Sequence, residues 1–197
     1  MKLLMPTDSP SFFDRGRRES IFGAAAVMSA TAVAVLAGRD ALAKDAKPTA
    51  AQLEADTRIL NTALGAELEA VAAYQVGAES GLLTPATKTV ALQFQGHHKS
   101  HADTLAGAIR KLGGKPVDAK GRYDFPTDKL KAEADVLRFA AGLERGAVSA
   151  YLNAVPLFND RGLSQAAASI LGDEAMHWAV FRQVLGETPV VPSAFMS

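Results

Sequence analysis

The residues of this chain best suited to chemistry are concentrated in two short patches. All four histidines lie there, in Gly96-His97-His98-Lys99-Ser100-His101 and Asp173-Glu174-Ala175-Met176-His177. Each patch holds a pair of candidate metal ligands three residues apart, His98 with His101 and Glu174 with His177. That spacing puts both members of a pair on one helical face. A glutamate precedes each patch, with 34 residues from Glu67 to His101 and 33 from Glu144 to His177. The chain has no cysteine, which excludes thiolate zinc sites, cysteine-ligated iron–sulfur clusters and cysteine nucleophiles. Any metal must be held by nitrogen and oxygen, a donor set that suits iron, manganese or zinc.

These groups must be positioned by a core of ordinary size. The chain has 197 residues, 48% of them hydrophobic, enough for one globular domain but not comfortably for two. Its 21 lysines and arginines equal its 21 aspartates and glutamates, which argues against nucleic acid as a partner, since phosphates call for a basic stripe.

Residues 1–43 read as a targeting segment rather than as fold. Arg15-Gly16-Arg17-Arg18 precedes an apolar, alanine-rich run from Ile21 to Gly38, and Ala41-Leu42-Ala43 is an A-x-A cleavage site. The arginine pair resembles the twin-arginine export signal, although Ser20 and Ile21 stand where that signal usually has bulkier apolar residues. The expectation is cleavage and a periplasmic or other extracytoplasmic location. A run of about 18 apolar residues is also just long enough to be retained as an anchor. After cleavage the chain carries no charge bias toward a membrane surface, so no stable membrane association is expected.

Beyond a linker at 44–50, residues 51–186 show four long helical periodicities and no strand alternation. The first helix is predicted from Thr49 or Ala50 to about Ser80. The second is announced by Thr84 as N-cap with Pro85 behind it, and ends near Leu112 before Gly113-Gly114. The third is predicted over about Asp128 to Phe158, with Pro156 as a kink or an early end. The fourth runs from about Ser164 to Leu185. Short links make antiparallel hairpins of helices one and two and of helices three and four. The link from Gly113 to Thr127 is longer: fifteen extended residues reach about 50 Å, against about 37 Å for a 25-residue helix. Two hairpins joined by one long crossover make an all-α four-helix bundle of ferritin-like arrangement. The hairpins also look like copies, since Glu67 precedes Tyr74 by seven residues just as Glu144 precedes Tyr151. The tail, 187–197, is apolar and is expected to pack on the bundle or on a partner, which leaves a homodimer open.

Helical spacing places Glu67, His98, His101, Glu144, Glu174 and His177 on otherwise apolar stripes. These stripes run through Leu60, Leu64, Val71, Tyr74 and Ala78; Ala91, Phe94, Leu105 and Leu112; Leu137, Ala141, Val148, Tyr151, Val155 and Phe158; and Ala167, Ile170, Phe181 and Val184. Carboxylates in a dry core cost several kcal/mol each unless paired or bound to a cation. One or two divalent metals resolve that cost. Tyr74 and Tyr151 are candidates either for packing or for hydrogen-bonding the ligands from behind. His97, at the stripe's edge, is a candidate for the same supporting role or for the surface. Glu69 should point to solvent, and Trp178 should pack.

At these residues the chain resembles the ferritin-like superfamily, whose pattern is a glutamate on helix one, Glu-x-x-His on helix two, and the same again on helices three and four. The likeness covers about Ala51 to Leu185, and is nearest to the exported branch that includes desiccation-related proteins. It implies that Glu67, His101, Glu144, Glu174 and His177 stand at ligand positions. His98 departs from the pattern, standing where the family has a glutamate that usually bridges two metals. Glu174 is then the one bridging carboxylate left, which leaves room for an asymmetric pair or a single ion. The resemblance implies a non-haem iron site, mono- or di-iron, for redox chemistry with oxygen or peroxide, served by an electron donor that the sequence does not name. The alternative is a structural or stress-related helical protein without redox activity. A storage cage has no basis in the sequence.

Overall fold

The computed structural model describes residues 47–192; the predicted export segment lies outside them. Among the described residues the architecture is four long helices: α1 (Ala50–Glu79), α2 (Pro85–Lys111), α3 (Glu133–Ala154) and α4 (Arg161–Val184). No helix among the described residues is long and apolar enough to cross a membrane.

Local chemistry sets the ends of these helices. Thr49 and Gln52 form a reciprocal capping box at the start of α1, with Gln52 N–H donating to Thr49 Oγ1 at 3.2 Å and Thr49 N–H donating to Gln52 Oε1 at 2.8 Å. Thr84 caps α2, and Pro85 follows at a position where its missing N–H costs nothing. The chain leaves α1 and α2 through Gly81 and Gly113, at φ of 72° and 82°, a left-handed conformation that a side chain disfavours.

The third helix begins later than its periodicity predicts. Thr127–Lys129 form a single 3-10 turn, and Leu130 is extended. The Asp135 carboxylate accepts the Lys131 and Ala132 N–H groups at 3.1 and 3.0 Å, so α3 starts from a side chain inside its own first turn. Pro156 sits in a short 3-10 turn, Val155–Leu157, and Phe158 is extended, so α3 takes the early end. The fourth helix starts three residues before its predicted position, because Asp160 caps it by accepting the Leu163 N–H at 2.9 Å.

The two hairpins, α1–α2 and α3–α4, pack with α1 beside α3 and α2 beside α4. The long crossover is held on α1 by Asn61, which donates to the Lys115 carbonyl at 3.1 Å and accepts the Val117 N–H at 2.8 Å. Asp56, buried in α1, accepts from the Asn159 and Asp160 N–H groups at 2.8 and 3.0 Å and so fastens the α3–α4 turn. Apolar side chains form two clusters. One is built around Leu60, Leu64, Leu105, Ile109 and Ile170. The other is built around Phe94, Leu137, Trp178 and Phe181. Full burial of each large side chain contributes about 1.5–3 kcal/mol. The predicted inward stripes are buried or half-buried except at Val184, which is 54% exposed at the last turn of α4. At the end of that helix Leu185 packs inward instead. Past α4, Arg182 donates to the Pro189 carbonyl at 2.7 Å; the end of the predicted tail, 193–197, lies outside the described residues.

Candidate metal centre

The core contains a polar layer. One turn each of α1 and α3 supplies Glu67 and Glu144, the i, i+3 register of α2 supplies His98 and His101, and that of α4 supplies Glu174 and His177. All six are between 0% and 8% exposed. Their donor atoms form two overlapping sets, Glu67, His98, His101 and Glu174, and His98, Glu144, Glu174 and His177, each with its atoms within 4.8 Å of one another. His98 and Glu174 belong to both sets.

The hairpins brace each other through this layer with approximate two-fold symmetry. Tyr151 on α3 donates to Glu67 Oε1 on α1 at 2.6 Å, and Tyr74 on α1 donates to Glu144 Oε1 on α3. Both tyrosines thus hydrogen-bond candidate ligands. Both phenols are raised above their ordinary pKa, by burial first and then by the carboxylate each one faces, so they remain donors. The histidines are braced likewise. His101 Nε2 lies 3.2 Å from Asp173 Oδ2, and His177 Nε2 lies 2.8 Å from His97 Nδ1. With their outer nitrogens engaged, His101 and His177 turn Nδ1 toward the centre. His97 is therefore a partner of a candidate ligand and only half-buried.

His98 is placed differently. Its Nδ1 lies 2.8 Å from Glu67 Oε2 and its Nε2 lies 3.2 Å from Glu144 Oε1, so one imidazole spans the two sets. Burial alone pushes His98 toward the neutral form, but hydrogen bonds to Glu144 and Glu67 outweigh burial and hold it up at about 10. For His101 burial is likewise outweighed, by Glu174 and Glu67, and it is held up at about 10. His177 is raised, with Glu144 and Glu174 overcoming burial. Burial pushes Glu67 up, but His101 and His98 bring it below its usual range; Glu144 is lowered against burial in the same way by His177 and His98. His97 is lowered, by burial and then by the neighbouring His177.

Five buried atoms of this layer make no hydrogen bond: His101 Nδ1, His177 Nδ1, Glu144 Oε2 and both oxygens of Glu174. His101 Nδ1 and Glu174 Oε1 are 3.0 Å apart, yet their orientation is not that of a hydrogen bond, and both face inward. Buried polar atoms without partners are rare and call for an explanation such as an ion. These two imidazole nitrogens and three carboxylate oxygens, divided between the two overlapping sets with Glu174 common to both, are a donor chemistry that suits divalent transition metals.

The structure brings together all six residues that the sequence singles out. Sequence reasoning missed Asp173 as the partner of His101, although the internal repeat could have found it. Asp173 precedes Glu174 as His97 precedes His98, and each supports the histidine of the opposite hairpin. Glu69, expected in solvent, is half-buried beside α3.

Residues 55–187 match the family model described as a ferritin-like domain. The chain belongs to the ferritin-like domain family. Among curated proteins none matches it. Solved structures share the fold. The bacterioferritin of Desulfovibrio desulfuricans, described with a diiron site, superposes with a TM-score of 0.64 at 18% identity, over 77% of this chain and 96% of that one. A ferritin-like diiron-carboxylate protein from Bacillus anthracis gives 0.60 at 20% identity, over 70% and 99%. A dodecameric thioferritin, the bacterioferritin-related protein from Bacteroides fragilis, gives 0.58 at 24% identity, over 68% and 86%.

Proposed function

We propose that this is an exported metalloprotein whose bundle core holds iron, as one ion or two, for redox chemistry with oxygen or peroxide. The observation that carries this reading is the set of five buried donor atoms of Glu144, Glu174, His101 and His177 that make no hydrogen bond and lie 3.0 to 3.6 Å from oppositely charged neighbours. Diiron centres in proteins of the same fold favour iron over manganese or zinc. Bound iron supplies electron transfer and Lewis acidity. The chain's residues do the rest. Glu67 and His101 belong to one donor set, Glu144 and His177 to the other, and Glu174 and His98 stand between them. Tyr74 and Tyr151 keep the outer carboxylates oriented, while Asp173 and His97 keep the histidines turned inward. The apolar clusters that enclose the layer lower its dielectric and strengthen each of these contacts.

Anaerobic addition of Fe(II) followed by oxygen tests the reading. The expected result is at least one iron per chain and an absorbance change that requires oxygen. Protein isolated metal-free from iron-replete cells, with no uptake on reconstitution, ends it. Export rests on the segment 1–43, and the expected mature chain begins at Lys44, which an intact-mass measurement on the secreted or periplasmic protein checks.

One observation favours a second reading, that of a structural or stress-related bundle with no redox metal. Three imidazoles face three carboxylates, and a charged His98 already pairs Glu67 with Glu144. Such a layer is electroneutral without a cation. Under this reading a chelator leaves the thermal midpoint unchanged.

A further inference from the structure

The internal repeat provides its own control for a cavity beside the polar layer. Glu67 and Tyr74 are related to Glu144 and Tyr151 by a shift of 77 positions, and the same shift relates the two openings between α1 and α3. On the Tyr74 side the opening is closed. Phe139 and Leu143 line it, and its cavity holds only about 20 Å³. Packing there is tight enough that a Cβ on Gly77 would meet Val136 Cγ1 at 3.2 Å. Phe125 of the crossover caps Phe139, with ring centres 5.9 Å apart.

On the Tyr151 side the equivalents of Phe139 and Leu143 are Thr62 and Ala66, and the cavity is about 440 Å³. Its floor is made by Glu67, His98 and Tyr151, which are 3%, 2% and 5% exposed. Small side chains normally allow two helices to approach closely. Here the alanines of α1 and α3 instead wall an open cleft, although the Tyr74–Glu144 and Tyr151–Glu67 hydrogen bonds tie the same two helices together. Thr62, Ala66, Gly146 and Ala150 at its rim are exposed, which makes it reachable from solvent. The volume falls in the range of small-molecule sites, about 300–1,000 Å³.

We propose that this cleft binds a small, neutral, apolar organic molecule, aliphatic or aromatic, and brings it against the carboxylate–imidazole layer. Taking the layer as a metal centre, as above, the inference adds the class of molecule that reaches it. The wall chemistry selects the class. Apart from its floor the cleft is lined mainly by alanine, Ile59, Leu143 and Leu157; of its polar wall residues, Thr62 and Asn153 donate to the Arg58 and Ser149 carbonyls of their own helices. Glu69, beside the floor glutamate, carries a carboxylate on the same side and disfavours anions. The other half of the molecule shows that the bundle tolerates a filled opening at this position, and among the described residues the cavity goes with Thr62 and Ala66 in place of Phe139 and Leu143 and with no counterpart of Phe125.

The test is fluorescence titration of the full chain with 1-aminoanthracene, metal-free and loaded with Co(II), alongside Thr62→Phe and Ala66→Leu. Both variants restore side chains that the opposite half already carries, and circular dichroism confirms their folding. Wild type is expected to bind one probe per chain, with emission quenched when Co(II) is present. Each variant should bind at least about tenfold more weakly with unchanged Co(II) content. Absence of saturable binding by wild type, or wild-type affinity in both variants, overturns the proposal. So does a wild-type dimer, seen by light scattering, that Ala66→Leu dissociates, because a second copy then fills the cleft. Probe binding lost in the variants while no sample takes up Co(II) or Fe(II) supports the cleft and removes the metal reading alone.

Discussion

Glu174 is fully buried, belongs to both donor sets, and has neither oxygen hydrogen-bonded. Its loss should therefore be felt by every ion in the layer. Glu174→Ala is expected to abolish metal uptake, whereas Glu67→Ala, which touches one set, should leave the other able to bind; elemental analysis after reconstitution separates the two. His98 makes the opposite prediction in the metal-free protein. His98→Glu exchanges a charge that pairs Glu67 and Glu144 for a fourth buried carboxylate, and breaking a buried pair costs about 3–5 kcal/mol. The expected result is a lower thermal midpoint with chelator and recovery when metal is added. The same charges set the pH response. His98 and His101 stand at about 10 in the fold against 6.5 ordinarily. Their contribution is full below 6.5 and lost as the pH rises through about 10. Glu67 and Glu144 lie below their ordinary 4.5, so their contribution is present above 4.5 and lost as the pH falls through their lowered values. The metal-free chain should be most stable between about pH 4.5 and 6.5, and chelated samples unfolded at stepped pH should show a falling midpoint from 6.5 toward 10.

Helices are where local signals and tertiary ones diverge. The start of α1 was legible because its periodicity sets in directly after the linker, and the start of α2 because proline follows threonine. The start of α3 was not. No N-cap side chain precedes Glu133, and the work is done by Asp135 reaching back to Lys131 and Ala132. A periodicity argument has no means of separating the 3-10 turn at Thr127–Lys129 from the helix that follows it. Asp56 is a similar case. An aspartate in the second turn of a helix reads as solvated, yet it is 2% exposed because the α3–α4 turn, about a hundred residues later, brings it two backbone N–H groups. Removing a charged acceptor from buried donors costs about 1.5–3 kcal/mol. Asp56→Ala should lower the unfolding free energy by about that much, measured by denaturant titration, without altering metal content.

For the molecule as a whole, the six candidate ligands were legible because the two hairpins repeat one pattern and because carboxylates on apolar stripes need a reason to be there. The cleft was not. Thr62 and Ala66 are unremarkable in sequence, and their meaning emerges only when α1 faces α3 and the repeat is compared with itself. Metal should couple to the stability of the entire bundle. A ligand at a hundred times its dissociation constant adds about 2.7 kcal/mol, so loading should raise the midpoint of the wild type and leave that of Glu174→Ala unmoved. The layer that pairs three imidazoles with three glutamates has one more consequence. A bundle neutralised by its own protons needs no cation as a folding template, and can be complete before an ion arrives. Loading is then an exchange, with hydrogen ions leaving as the dication enters, and a weakly buffered solution should acidify with every equivalent taken up.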